Sequence, residues 1–519
     1  MNTVHFLTIP ASIVPDQEIM VFGNRRQTYH DTTARVQRLA NALGAMGISK
    51  GDRVAILDTN SPEYIEAYFA SSMLGAVFVP LNYRARADEL EYMLTTAGAQ
   101  VLIVGKRYVP LVSSMRARLG CVTRYVALDA APPDMVRFDE LIAQAPGDGR
   151  EAEVDEEDVN LLLYTSGTTG RPKGVMLTYG DFVAYVCANA ELADGTPRGA
   201  ALLCVPLYHI AGITVMMTNI FSGRRLAILR QFEPSDWLVA VRRERITHAF
   251  LVPTMLKRVL DHPDFERSAC ASIEVLAYGA APMPLSVIRR AVEQFPSTVG
   301  FVNAFGQTET TATVTMLLPE DHRLGGTPQE MERQLRRLTS IGRPLPDVEV
   351  RIVDAEGAEV VRGAIGEIAV RTSRLMKGYV SQGDASTQAI VDGWLHTRDM
   401  GWVDEEGYLY LAGRKDDMII RGGENISPAE VETVLHTHPA VEEAAIIGVP
   451  DVDWGERVMA IVVPRAGSAL TAEGVIDWCR QHLASFKKPD AVQFVGELPR
   501  NSLGKVLRKE LRERFGKQC

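Results

Sequence analysis

The sequence predicts an α/β protein of layered architecture, and three features carry that expectation. Helix and strand patterns alternate through the N-terminal part: apolar residues at helical spacing in 28–47 (Val36, Leu39, Ala40, Leu43) precede a strand at 52–57. The same order repeats as a helix at 61–74, a strand at 76–80, a helix at 87–97 and a strand at 101–104. Such alternation favours largely parallel sheets covered by helices, because parallel neighbours need a crossover between them. From Ile341 the pattern turns to short β-rich runs, 348–353 and 366–370, divided by Gly and Asp turns, which suits a small antiparallel barrel or sheet. After Gly413-Arg414-Lys415-Asp416-Asp417 the chain restarts with its own helix at 428–437, strands at 443–448 and 458–463, and a helix at 472–483, a domain-sized segment. A polar stretch at 329–338 reads as an exposed amphipathic helix.

At 519 residues the chain exceeds one ordinary core and calls for two or more domains. Its 65 acidic against 55 basic side chains give a formal charge of −10, which argues against broad nucleic-acid binding and makes any anion site local. The six cysteines, Cys121, Cys187, Cys204, Cys270, Cys479 and Cys519, form no CxxC pair and no metal-ligand spacing, so a reducing compartment is expected. Met1-Asn2-Thr3-Val4-His5-Phe6 lacks the charged start and apolar core of a signal peptide, and no uncharged apolar run reaches about 18 residues. The expectation is a cytoplasmic protein without a transmembrane segment, and a homodimer is compatible with it.

The most informative stretch is Leu163-Tyr164-Thr165-Ser166-Gly167-Thr168-Thr169-Gly170-Arg171-Pro172-Lys173-Gly174, which packs hydroxyls, glycines and two cations into one loop after an apolar run. Hydroxyls and unhindered backbone N–H groups donate to anionic oxygens, and Lys173 adds a compact positive charge. The segment 159–164 reads as a buried strand holding that loop at its carboxyl end. A Walker A loop would end in Gly-Lys-Ser/Thr, whereas here Pro172 separates Arg171 from Lys173 and Gly174 follows.

The order of these residues resembles the signature loop of the adenylate-forming superfamily: acyl-CoA synthetases, 4-coumarate ligases, luciferases and peptide-synthetase adenylation domains. Further motifs follow in the family's order: Tyr278-Gly279-Ala280-Ala281-Pro282, Asn303-Ala304-Phe305-Gly306-Gln307-Thr308-Glu309, Trp394-Leu395-His396-Thr397-Arg398-Asp399, Gly413-Arg414-Lys415-Asp416-Asp417 and Pro499-Arg500-Asn501-Ser502-Leu503-Gly504-Lys505. Together they cover nearly the whole chain and are similar to the acyl-CoA synthetase type, a fatty-acid or aryl-acid CoA ligase. The resemblance implies a large N-terminal AMP-binding domain of layered subdomains plus a small barrel at 1–413. It further implies a hinge at 414–416 and a small mobile α+β C-terminal domain at 417–519.

It also implies roles, each for a residue suited to it. Thr165, Ser166, Gly167, Thr168, Thr169 and Lys173 would wrap the β- and γ-phosphates of ATP. Thr308 would donate to the α-phosphate, and Glu309 would hold Mg²⁺, a hard cation that prefers carboxylate oxygen. Phe305 offers a flat face to adenine, with the small backbone of Gly279, Ala280, Ala281 and Pro282 close by and Asn303, Ala304, Gly306 and Gln307 completing the nucleotide surface. Asp399 suits the ribose hydroxyls, with Arg414 bonding the same sugar. Lys505 would bridge the substrate carboxylate and the α-phosphate, acting by charge. After adenylation the hinge at Asp416 would rotate Arg421-Gly422-Gly423-Glu424-Asn425-Ile426 inward to line a pantetheine tunnel for coenzyme A.

His209, in Pro206-Leu207-Tyr208-His209-Ile210-Ala211-Gly212, falls where the family has a gate between acyl pocket and thiol tunnel. Amino-acid-activating members carry an aspartate near Tyr208; a phenol there makes α-amino acids poor candidates, since a buried ammonium needs a partner. Val215, Met216, Gly279 and Ala304 are the expected acyl pocket. Ala304 replaces a common glycine, and Tyr278 either narrows the site or turns its ring elsewhere. The resulting expectation is an ATP-dependent acyl-CoA ligase acting on a neutral acid, medium-chain aliphatic or cyclic, and releasing AMP and pyrophosphate. A carrier-protein thiol as acceptor, a non-catalytic ATP-binding module and a luciferase-like oxygenase are the alternatives.

Overall fold

The computed structural model describes residues 1–129, 132–149, 151–165, 172–422, 424–500 and 506–516. Among them four sheets form. The expected helices and strands recur: Tyr29–Ala45, Arg53–Leu57, Pro62–Met73, Val77–Pro80, Ala87–Ala97 and Val101–Val104 alternate as read. Local chemistry explains their ends. Thr28 caps the first of these helices with a reciprocal Thr28–Asp31 capping box, Ser61 caps the next, and Gly98 closes the third in the left-handed conformation.

Two large sheets make the N-terminal part. The first runs through Gly300–Gln307, Val275–Gly279, His248–Leu251, Ala200–Leu203, Arg225–Ile228 and Glu18–Phe22, all parallel neighbours; Ala312–Leu317 adds an antiparallel edge beside Gly300–Gln307. In the second, Val77–Pro80, Arg53–Leu57, Val101–Val104 and Arg124–Ala127 are parallel, while Val159–Thr165, Lys173–Thr178 and Gly378–Tyr379 form an antiparallel edge. One core joins the sheets, taking Leu161, Leu163, Val175 and Leu177 from the second and Leu203, Val205, Leu226 and Ile228 from the first. The helix Pro62–Met73 lies within it, with Glu63 its one residue not buried. Its buried Glu66 is matched by Arg35 (Nε to Oε1 2.7 Å, Nη2 to Oε2 2.9 Å) and Gln27 at 2.8 Å, as a buried carboxylate requires.

The β-rich third layer is an antiparallel sheet of Glu349–Val353, Gly366–Arg371, Trp394–Val403, Ile390–Val391 and Leu409–Arg414. From Ile419 onward two further cores contain only C-terminal residues, around Ile426, Val431, Ile446 and Val458 on one face and Ile447, Leu498, Leu511 and Phe515 on the other. The polar helix Pro328–Arg337 buries none of its residues, as its composition predicts. Cys121, Cys187, Cys204, Cys270 and Cys479 are free thiols, and Cys519 lies outside the described residues. No helix among the described residues is long and apolar enough to cross a membrane.

Candidate active site

Two antiparallel strands, Val159–Thr165 and Lys173–Thr178, flank the phosphate-type segment. Thr165 ends one strand opposite Lys173, which begins the next, and Thr165 Oγ1 donates to the Lys173 carbonyl at 3.5 Å. Among the described residues the segment after Lys173 is a strand, Lys173–Thr178, and not a helix. Ser166, Gly167, Thr168 and Thr169 lie outside the described residues, as do Gly423 and Lys505.

Beside the hairpin, Gly378–Tyr379 pairs with it, Tyr379 opposite Val175. The Tyr379 hydroxyl donates to Glu309 Oε1 at 3.0 Å, and Lys173 Nζ stands 4.9 Å from the Tyr379 ring centre. Burial, with the Glu309 carboxylate next to it, drives the Tyr379 phenol well above its ordinary pKa, so it stays protonated and donates. Tyr379 therefore links the phosphate hairpin of one sheet to the Glu309 turn of the other.

That turn is a single 3-10 turn, Thr308–Thr310, and not the start of an α-helix. It ends at Thr311 and Ala312, both with positive φ (49° and 76°), a strained conformation for residues other than glycine. Arg374 explains how the strain is held. Fully buried, it donates from Nη1 to the Thr310 carbonyl (2.9 Å) and from Nη2 to the Thr313 carbonyl (2.8 Å), and its Nε pairs with Asp347 at 2.7 Å. Met376 N–H adds a bond to the Glu309 carbonyl at 2.9 Å.

The nucleoside candidates also meet. Asp399 pairs across its sheet with Arg414, whose Nε is 2.7 Å from Oδ1, while Gln307 Nε2 donates to Oδ2 at 2.6 Å and to the Thr397 carbonyl at 3.0 Å. Asp399 is expected to accept from the ribose hydroxyls; a sugar there would share its oxygens with Arg414 and Gln307. Asn303 is committed elsewhere, its buried amide donating to the Ser340 carbonyl at 3.2 Å. Phe305 rests against the small apolar core around Val314, Ile341 and Val348.

Gly279 and Gly306 are glycines by necessity. A Cβ at Gly279 would stand 2.1 Å from the Ala304 carbonyl oxygen, and one at Gly306 would stand 1.7 Å from that of Ala312. Ala280, next to Gly279, has φ 65°. Tyr278 does not narrow the site: its ring is fully buried in the core of the first sheet, and its hydroxyl bonds His322 Nε2 at 2.9 Å. Met216 is likewise fully buried in the core joining the two sheets.

His209 caps the helix Ile210–Phe221, its ring 4.3 Å from that of Tyr208, which meets Tyr83 edge-on at 5.0 Å. Burial first, then the Arg84 charge, pulls the His209 pKa down to about 3, so the imidazole is neutral at physiological pH. Tyr64, buried nearby, feels both Tyr208 and the Asp58 carboxyl, which burial raises to about 6. Gly422, with φ 58°, turns against Trp454.

A family model for AMP-binding enzymes matches residues 10–380, and one for the AMP-binding enzyme C-terminal domain matches 430–505. The chain belongs to the AMP-binding enzymes. It is 37% identical to a feruloyl-CoA synthase of Amycolatopsis sp over 98% of this chain and 97% of that protein. An indoleacetate–CoA ligase of Aromatoleum aromaticum is 35% identical over 97% and 96%. Among solved structures, ATP-bound MatB from Rhodopseudomonas palustris superposes with a TM-score of 0.89 at 29% identity, covering 100% of this chain and 99% of that one. Anthranilate CoA ligase AuaEII in complex with anthranoyl-AMP superposes at 0.88 with 26% identity over 99% and 97%.

Sequence reasoning missed Tyr379, Arg374, Arg84 and Asp58. The run Arg374-Leu375-Met376-Lys377-Gly378-Tyr379 carries no periodicity to single it out, and its contacts with the Glu309 turn arise only in the assembled sheets.

Proposed function

We propose that this AMP-forming acyl-CoA synthetase activates a neutral carboxylic acid with a compact cyclic or medium-length tail. The observation that supports its adenylating part is the junction at Tyr379, whose ring lies 4.9 Å from Lys173 Nζ and whose hydroxyl bonds Glu309, two residues from the Gln307 that bonds Asp399 beside Arg414. In the first step a carboxylate oxygen of the acid attacks the α-phosphorus and pyrophosphate leaves; in the second a thiol sulfur attacks the acyl carbon, loses its proton, and AMP leaves.

Lys173 neutralises charge at the departing pyrophosphate, Thr165 and Thr308 donate to phosphate oxygens, and Lys505 stabilises the carboxylate and α-phosphate as they meet. Glu309 fits Mg²⁺ bound with ATP: one carboxylate, with Tyr379 fixing one of its oxygens, matches an ion that keeps several waters. Asp399 and Arg414 anchor the ribose. A hinge at 414–416 carries the domain 417–519 between the two steps, and Gly422 and Gly423 approach the pantetheine of coenzyme A.

On the acyl side, the Tyr208–His209–Tyr83 ring cluster and the uncharged Val215, Gly279 and Ala304 favour apolar tails. A second carboxylate or an ammonium would be buried at a cost of several kcal/mol unless it found a counter-charge. The relatives acting on ferulate and indoleacetate support a cyclic tail. The test is AMP and pyrophosphate release over acids graded in length, charge and aromaticity. Each methylene that finds apolar wall should raise kcat/KM about three- to fourfold until the pocket fills. An α-amino acid or a dicarboxylate giving the highest value would overturn this view of the pocket, and would direct attention to Asp58 or Arg84 respectively.

A further inference from the structure

The linker between the two domains is gripped from both sides, and the grips divide between adjacent residues. Lys415–Asp417 is one 3-10 turn. Lys415 Nζ donates to Glu367 Oε2 at 2.8 Å, and Asp416 accepts a two-pronged contact from Arg398, Nε to Oδ2 at 3.1 Å and Nη2 to Oδ1. Both partners sit on the antiparallel sheet of the N-terminal part. Asp417, one residue on, is held from the C-terminal side by Arg512 Nη2 at 2.8 Å and Arg508 Nη1 at 3.6 Å, and Arg508 is itself paired with Glu432 at 2.6 Å. The seam between the two sets of contacts is thus the Asp416–Asp417 peptide.

Arg398 is an unusual residue for its place. Its φ is 62°, in the left-handed region that favours glycine. Its backbone N–H donates to Glu367 Oε1 at 2.9 Å, so the carboxylate that holds Lys415 also holds the turn presenting Arg398. Asp399, the ribose candidate, follows directly. A residue that accepts backbone strain beside the nucleotide cluster, and spends its guanidinium on the linker, ties the linker's position to that cluster.

We infer that Arg398 is a positioning residue that clamps Asp416 and thereby sets the balance between the adenylating and thioester-forming arrangements of the C-terminal domain. The inference rests on the two-step reading above. In the full-length chain, with the best acid from the panel, pyrophosphate release without coenzyme A measures the first step and coenzyme A-dependent consumption of supplied acyl-adenylate measures the second. Arg398→Gly keeps the backbone conformation and removes the clamp. Because the pair is half-exposed, the ratio of the two rates should move by about three- to fivefold. Asp416→Asn should move it in the same direction, the double variant no further than either single, and Arg398→Lys should recover most of the wild-type ratio. The clamp is refuted if both rates fall together with the ratio unchanged, or if the two single effects multiply in the double variant. A wild-type chain releasing no pyrophosphate with any acid would instead sink the two-step reading itself, and the clamp with it.

Discussion

On the nucleotide side, Asp399, Arg414, Gln307, Glu309 and Tyr379 hold one another through hydrogen bonds of 2.6–3.0 Å, whereas on the acyl side Tyr208, His209 and Tyr83 meet through ring faces and edges. The first region orients charge before any substrate arrives. The second presents ring faces and a neutral imidazole, with Arg84 and the Asp58 carboxyl as the charges that act on them. Preorganised donors are worth most where charge develops, and apolar walls where a neutral tail must be desolvated. The difference teaches that losses on the nucleotide side should appear in the rate of adenylation, and losses on the acyl side in acid preference or in stability.

The largest effect should come from Lys505→Ala, which on the proposed role removes a cation used only in the first transition state, worth roughly 3 kcal/mol or about a hundredfold. Pyrophosphate release should collapse while consumption of supplied acyl-adenylate continues; equal loss in both steps would remove Lys505 from its role. Next, Tyr379→Phe deletes one hydrogen bond to a carboxylate, so the adenylation rate should drop about tenfold, with a higher Mg²⁺ requirement in a titration. An unchanged Mg²⁺ midpoint would detach Tyr379 from the metal-binding role proposed for Glu309.

Gly279→Ala sharpens the boundary between the two regions. Its methyl would meet the Ala304 carbonyl, so the backbone must shift, at about 1–3 kcal/mol by thermal unfolding, with KM rising for ATP and acid alike. An effect on the acid alone would mean that the strand Val275–Gly279 serves only the acyl side.

Acid stability probes the neutral imidazoles. Burial holds His209 at about 3 and His322 at about 4. Unfolded imidazoles take up protons below about pH 6.5, so the folded state loses stability as pH falls from there toward 4 and gains nothing from these groups above it. Melting temperature followed against pH should fall less steeply in His209→Gln; an identical slope would show that His209 takes up its proton as readily in the folded chain as in the unfolded one. The smallest effect is expected of Tyr278→Phe, which should cost about 1 kcal/mol through the lost His322 bond and leave acid preference unchanged. A shifted preference would return Tyr278 to the pocket.

Much of this is legible in the sequence. The helix 87–97 and the strand 101–104 fall where periodicity put them, because capping residues and glycine mark their ends locally. The motif residues Thr165, Glu309, Asp399 and Arg414 stand out through the resemblance of their motifs to the adenylate-forming family. Other features were out of reach. Nothing local shows that Tyr278 turns into the core toward His322, a residue 44 positions away, or that Asn303 gives its amide to Ser340.

The sequence by itself determined the alternation of elements, the change to antiparallel strands after Ile341 and the residue types of the nucleotide side, because those depend on short-range periodicity, capping and functional-group chemistry. Tertiary structure alone decided that antiparallel edges of two separate sheets meet at Tyr379, and that a buried Arg374 holds the turn bearing Glu309. The physical reason is that a side chain's partner across two sheets is set by register and by which face it buries, and both are properties of the assembled layers.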